Sequence, residues 1–494
     1  MGLGLLILVS VGKENLYLSG QPEITFFKIA YRRHTNYSIE PTPQYFKTTP
    51  DFGRRCTVNI SKNTDLMGAT YLYVELPNIQ LENFTNSNIN KKFAWNEKIG
   101  LSIINFVEFE TGGTIIDRHY GDWLNIWHEL TNNMGIRKGY DKMIGNTKEL
   151  KTFTQSKSST ILYIPLSFWF CLDTGLALPL IALPYNDVKI HVEFNNFDSC
   201  YSISPTNYIT VYNNFCLLKE GERFYQNYQN NKIIGEFVYF DVLNNLLYYN
   251  MIKGKFIIPT EANDSNYTLY GEDTNFPINI VPNTIVVTDN SYFKFNPPSL
   301  LDAYLLVNYI YLDNFERYQF INNSHEYLIP VIQTLPEQIV QSTNVSYKLP
   351  LVNPVKLIVW RAMLVANKNT NDVFNYTTYP YTENEENIIS NNRIVINSVD
   401  RMSLDSIDYY TTIPKYQYNF YNNMKGIYIY SFGINPKDLQ PSGSINFSKI
   451  DDAYIQLTMN KVINYQNPAT VRCYAIQYNL FRVMGGIGGL GFNL

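Results

Sequence analysis

Four strand-like phrases in the first half of this chain return in the second half in the same order, and a duplicated β-unit accounts for all of them together. Asp117 and Arg118 follow ETGGTII, as Asp400 and Arg401 follow IVINSV. The strand opening at Ile161 has a counterpart in IYIYSF at Ile427, and VKIHVEF at Val188 is echoed by AYIQLTM at Ala453. NYIYLDNFER at Asn308 is matched by QYNLFRVM at Gln477. Each match is weak, and their shared order carries the argument.

The repeated unit reads as an antiparallel sandwich. Val188, Ile190, Val192 and Phe194 alternate onto one face, as a half-buried strand requires. CTVNI from Cys56, ATYLYVELP from Ala69 and INFVEFETGGTIID from Ile104 follow closely, with Gly112 and Gly113 placed for a hairpin turn. Pro165, Pro179 and Pro184 confine the next stretch to strand ends and bulges. A strand is predicted from Tyr304, YLLVNYIYLDNFERYQF, to close the first half, and the junction is expected near Phe315 to Tyr327. The 41 Tyr and 29 Phe agree with a strand-rich chain, and 494 residues exceed what one core normally serves.

One segment departs from the repeat, and two others carry signals of their own. The first half holds roughly a hundred extra residues before its last strand, at about 197–298, with strand-like pieces KIIGEFVYFDV, GKFIIPT and NTIVVT. The run ITFFKIAYRR, Ile24 to Arg33, is apolar on both sides of its alternation and is expected to be the first strand of the first sandwich, with Arg32, Arg33 and His34 at its emerging end. DRHYGDWLNIWHEL, from Asp117, places Trp123, Ile126, Trp127 and Leu130 at helical spacing, predicting a short amphipathic helix over one edge or end of the sandwich.

Charge and cysteine usage exclude several functions. With 39 basic and 43 acidic residues, no concentrated cationic face exists to neutralise many phosphates, so no direct nucleic-acid binding is expected. Cys56, Cys171, Cys200, Cys216 and Cys473 are dispersed, odd in number and without a CxxC pair, which reads as reduced thiols. GLGLLILVSVG at the N-terminus is too short to span a bilayer and is read as a docking arm or a strand. Leu6 stands where a myristoylation motif requires Ser or Thr after Gly2.

Chemistry-bearing groups cluster once. Asp117, His119, Asp122, His128 and Glu129 include metal-ligating and proton-transferring types, but without HExxH-like geometry they read as bonds tying a helix to a sheet. Gly486, Gly488 and Gly491 satisfy GxGxxG, yet no helix can follow in the three residues that remain, so a flexible or tightly packed terminal arm at a subunit contact is expected instead of a dinucleotide turn. Arg54 and Arg55 beside Cys56 could lower its thiol pKa, but a strand-start cysteine with surface arginines is the commoner case. Arg32 and Arg33 are expected to meet a carboxylate of another subunit. Asn263, Asn266, Asn344 and Asn375 open glycosylation sequons of the kind an Asn-rich chain produces by chance. No catalytic, cofactor-binding or metal-binding residue is assigned, and no cofactor is expected.

In order, ITFFKIAYRRHTNYSIE, IDRHYGDW at Ile116, TGLALPLIALPYNDVKIH at Thr174, NYIYLDNFERYQF, HEYLI at His325, DRMS at Asp400, YIYSFGINPKDLQPSGSINFSKIDDA at Tyr428 and YNLFRVMGGIGGLGF at Tyr478 span nearly the whole chain. This set resembles the major capsid proteins of nucleocytoplasmic large DNA viruses. The resemblance implies an all-β fold of two tandem eight-stranded antiparallel jelly rolls, a double jelly roll, with short helices and long loops. On that reading residues 1–23 form an N-terminal arm, 24–318 the first jelly roll with its insertion, and 319–494 the second jelly roll with a glycine-rich tail. It further implies a homotrimer acting as a pseudo-hexagonal capsomer of an icosahedral shell, in contact with neighbouring capsomers and minor capsid proteins, near an inner viral membrane but not inserted in it. Such a protein would reside in the virion after assembly in a cytoplasmic viral factory. A minor capsid paralogue or assembly scaffold would use the same fold. A glycan-binding or glycan-cleaving β-sandwich is the alternative from another class, motivated by the tyrosines and long loops.

Overall fold

The structure, a computed structural model, describes the chain apart from residues 1–2, 11, 82–90, 229–230, 260–266, 285–286, 289–296, 383–384, 402–405, 422–423 and 493–494. The alternating segments fold as strands β1 (Tyr37–Tyr45), β2 (Arg55–Asn59), β3 (Leu66–Leu76), β4 (Ile104–Thr111), β5 (Thr114–Tyr120), β6 (Thr160–Pro165), β7 (Val188–Phe194) and β8 (Asp302–Leu312). They make two four-stranded sheets, ordered β1-β8-β3-β6 and β2-β7-β4-β5. The second half repeats this with β9 (His325–Thr334), β10 (Asn344–Lys348), β11 (Pro354–Leu364), β12 (Ile389–Ile396), β13 (Val399–Asp400), β14 (Ile427–Ser431), β15 (Ala453–Met459) and β16 (Ala469–Met484). Its main sheets run β9-β16-β11-β14 and β10-β15-β12-β13, the same order strand for strand. The molecule is therefore a double jelly roll. The four repeated phrases fall on the equivalent pairs β5/β13, β6/β14, β7/β15 and β8/β16.

Period-two alternation sets each core. On β7, Val188, Ile190, Val192 and Phe194 are buried against Cys56, Val58, Val107 and Phe109, while the intervening residues form the outer face. In the second sandwich Trp360, Tyr428, Ile455 and Cys473 play that part. β11 is buried almost throughout its length on both faces, which already implies a layer outside the second sandwich.

Several expectations are corrected. Ile24 to Arg33 is not a strand: the first sandwich begins at Tyr37, and Phe26 and Phe27 are 92% and 97% exposed. A segment apolar on both sides needs cover on both sides, and one chain supplies none here. The chain after Tyr304 stays extended only to Leu312; Asn314–Asn322 is a helix, capped by Asp313, whose side chain accepts from the Glu316 N–H at 2.9 Å. The apolar N-terminus, read as a docking arm or a strand, is helical over Leu3–Val9, which overturns the strand alternative. GKFIIPT holds no strand over its described residues; the strand precedes it at Leu246–Lys253 and stops at Gly254, where φ is +76°.

Between β7 and β8 the extra residues build a seven-stranded sheet whose central strands are Arg223–Tyr228, Asn231–Asp241 and Leu246–Lys253. It has its own core, in which Phe224 stacks on Phe256 at 5.2 Å with Ile209, Phe237 and Leu247 around them. Asn263 and Asn266 lie outside the described residues.

Candidate functional site

The cluster singled out in the sequence lies at the junction of the two sandwiches. Helix α1 (Gly121–Thr131) follows β5 and lies across the outer face of β9-β16-β11-β14. Trp123, Ile126 and Leu130 are buried there against Leu357, Val359, Ile429 and Tyr474, so the helical stripe covers the second sandwich and not an edge of its own. Gly121 starts the helix because nothing larger fits: a Cβ there would sit 2.4 Å from the carbonyl oxygens of Leu101 and Ile104.

Each candidate finds a structural partner. Arg361 on β11 donates to Asp122 Oδ2 at 2.8 Å, and Arg472 on β16 donates to the same oxygen at 3.2 Å. Burial alone would raise the Asp122 carboxyl, but the two guanidinium charges outweigh it and hold the group at about 2. Glu337 closes the network against Arg361 at 3.1 Å. Asp117 and His119 sit side by side at 2.9 Å, and Asp117 also accepts from the Ile332 N–H of β9 at 3.1 Å. Glu129 accepts from Lys98 at 2.6 Å and from Arg137 at 2.9 Å. Burial drives His128 down to about 4, leaving it a neutral ring between Asn132 and Ser167. Among the described residues no three or more His, Cys, Asp or Glu side chains converge on a metal-sized site. This arrangement clamps sandwich to sandwich.

The C-terminal glycines strengthen that clamp. Gly485 and Gly486 turn the chain so that Ile487–Leu490 pairs back on β16. At Gly488 a Cβ would strike Leu183 of the first sandwich at 2.7 Å, and the Gly488 carbonyl accepts from Asn186 at 2.8 Å. GxGxxG therefore lies in a hairpin packed between the sandwiches. Cys56 is buried, and its neighbour Arg55 points to the outer face, where it and Arg118 flank the buried Glu108 above Phe106. Burial pushes the thiols of Cys171 and Cys200 up to about 12. The Asn375 amide is engaged by Asp372 and Thr377, whereas Asn344 is exposed. Arg32, Arg33 and His34 are exposed on the arm. Among the described residues no helix is long and apolar enough to cross a membrane.

Sequence reading missed two features. Arg361 and Arg472 looked like ordinary strand residues, since their importance depends on a helix some 240 to 350 positions away. On the outer face of β1-β8-β3-β6, Tyr45, Tyr304, Tyr73 and Tyr163 stand opposite one another in register and form a row across all four strands. Tyr73 and Tyr304 are stacked with ring centres 4.3 Å apart; Tyr45 and Tyr163 extend the row at 5.4 Å on either side. The matching residues on the second sandwich lie under α1, whereas this row is open at its ends, Tyr45 and Tyr163, with Tyr73 buried between its neighbours.

The profile of the major capsid protein N-terminus matches residues 25–241, and that of the large eukaryotic DNA virus major capsid protein matches 316–489. The chain is 36% identical to probable capsid protein 4 of Acanthamoeba polyphaga mimivirus, across 100% of this chain and 99% of that protein. It belongs to the major capsid protein family of large eukaryotic DNA viruses. A major capsid protein of Phaeocystis pouchetii virus is 28% identical over the full length of both chains. Among solved structures the Faustovirus major capsid protein shares the fold with a TM-score of 0.68 at 12% identity, covering 96% of this chain and 94% of that one. The capsid protein is thus a structural component of a virion and not an enzyme, which removes the glycan-cleaving alternative.

Proposed function

We propose that three copies of this chain associate into a pseudo-hexagonal capsomer and that these capsomers tile an icosahedral shell. The observation that carries the reading is the strand-for-strand equivalence of the two jelly rolls: three such chains place six similar β-units around one axis. The first jelly roll falls within residues 24–318 and the second within 319–494, with the arm of residues 1–23 running on through 24–36 before β1 begins at Tyr37. The seven-stranded insertion forms part of the outer tower, while the arm, with Arg32 and Arg33, engages carboxylates of neighbouring capsomers or minor capsid proteins beside the inner membrane. Assembly takes place in a cytoplasmic viral factory.

The test is the native mass of the purified full chain, followed by imaging of what it assembles into. A mass three times that of the 57.4 kDa chain and hexagonal particles are expected. A monomer at every concentration, or a trace copy number in purified virions, would overturn the assignment.

A further inference from the structure

We propose that Lys98 and Asn125 join spontaneously through an amide between their side chains, an isopeptide bond, with Glu129 as the catalytic residue. The reaction happens once, within the chain, and does not depend on how copies associate.

The three groups that such a bond requires converge in a site closed to water. Lys98 Nζ donates to Asn125 Oδ1 at 2.8 Å and to Glu129 Oε1 at 2.6 Å. Lys98, Asn125 and Glu129 are 4%, 1% and 9% exposed, and the amine also meets the Met424 sulfur at 3.9 Å and the Phe374 ring at 5.8 Å. The carbonyl end of the Asn125 amide is thus held by the amine that attacks it. Its Nδ2, the group that must leave, is buried without a hydrogen bond; the buried Tyr376 hydroxyl lies near it but outside bonding geometry. Buried amides normally bond through both ends. Lys98 itself has a left-handed backbone, φ +51°, just ahead of the helix Ile99–Ser102, a conformation that a non-glycine residue keeps only where its surroundings enforce it.

The chemistry balances with the groups present. Glu129 takes a proton from the Lys98 ammonium, and the freed lone pair attacks Asn125 Cγ to form the new C–N bond. Glu129 returns that proton to Nδ2 as the Cγ–Nδ2 bond breaks, then takes the second proton that Nζ sheds on becoming an amide. Ammonia carries this last proton away as ammonium, so Glu129 ends as it began and no oxidant or further reactant is consumed. Arg137, donating to Glu129 at 2.9 Å, positions the carboxylate. A crevice beside Asn125 and Glu129, about the size of one water molecule, adjoins the partly exposed Arg137 and gives the ammonia a way out. The product ties the loop at Lys98 to α1, the helix that covers the second sandwich.

The test is a tryptic digest of the purified full chain read by mass spectrometry. A branched peptide is expected, joining residues 93–118, uncut at Lys98, to residues 119–137, and lighter than the two linear peptides together by the one ammonia lost, about 17 Da. Glu129→Gln, which keeps size and shape, and Lys98→Arg should yield linear peptides only. Linear peptides at full mass from the wild-type chain, which needs no variant to fold, overturn the inference. So does an ammonia loss confined to 119–137, the mark of an asparagine closing on its own backbone. A branch formed at wild-type yield in Glu129→Gln overturns the role given to Glu129.

Discussion

Asp122 and Arg361 meet at 2.8 Å across the boundary between the two sandwiches, joining the first turn of α1 to the central strand β11. With Arg472 on the same carboxylate oxygen, one aspartate bridges two cations that have little water around them, and Glu337 adds a second negative charge against Arg361. Asp122→Ala leaves both guanidinium groups in place without it, a loss expected to cost about 3–5 kcal/mol. Guanidinium denaturation of the purified variant measures this, and a change under about 1 kcal/mol would show that the network does not hold the sandwiches together.

Acid acts on this junction in two separate windows. His128 has its folded pKa depressed to about 4, below the ordinary 6.5, so the unfolded chain takes up the proton first. Its contribution is complete above pH 6.5 and declines as the pH falls toward 4, by up to about 3 kcal/mol. Asp122, held at about 2, loses its contribution only below about pH 4. Urea midpoints at pH 7.5 and 4.5 should therefore differ, and His128→Gln should flatten that difference without altering the further loss below pH 4.

Two glycines separate packing from propensity. Gly121→Ala drives a methyl into two backbone carbonyl oxygens and is expected to destabilise by about 2–4 kcal/mol. Gly135, in the helix Met134–Met143, has nothing within 4 Å of an added Cβ, so Gly135→Ala should stabilise by about 0.5–1 kcal/mol. Thermal melts of the pair test both, and equal effects would refute the steric reading.

The insertion has its own core, and its links to the second sandwich include Arg223 to the Tyr379 hydroxyl and Lys253 to the Tyr381 carbonyl. Replacing the residues between Ser204 and Leu300 by a flexible linker should leave the two jelly rolls folded, with a cooperative thermal melt and an unchanged number of subunits per particle. Loss of the trimer in this variant would place the insertion in the subunit contact instead of the outer tower.

Much of this architecture was legible in the chain because strand alternation is local. Val188 to Phe194 declares its buried face within seven residues, and its echo at Ala453 declares the duplication. What escaped depends on residues distant in sequence. ITFFKIAYRR is as apolar as a core strand, but whether it pairs is decided by the strands available to it, and none takes it. Tyr311 and Phe315 look continuous, yet the Asp313 cap turns the chain into a helix between them. Of the acids and histidines singled out in the sequence, Asp117 and His119 meet each other while Asp122 and Glu129 turn to separate cations, and the role of Asp122 became readable only once Arg361 and Arg472 came into view.

The pairing of β1 with β8 sets a schedule for making this protein. Tyr45 lies against Tyr304, so a chain emerging from the ribosome carries β1 without its neighbour until the whole insertion has been synthesised. Throughout that interval β3 lacks its central partner too, and the half-made sheet is open to other nascent chains. Such distant pairings fold slowly. An insertion with its own core eases the closure that follows, because it collapses on itself and brings the two ends of the gap closer together by the time β8 is made.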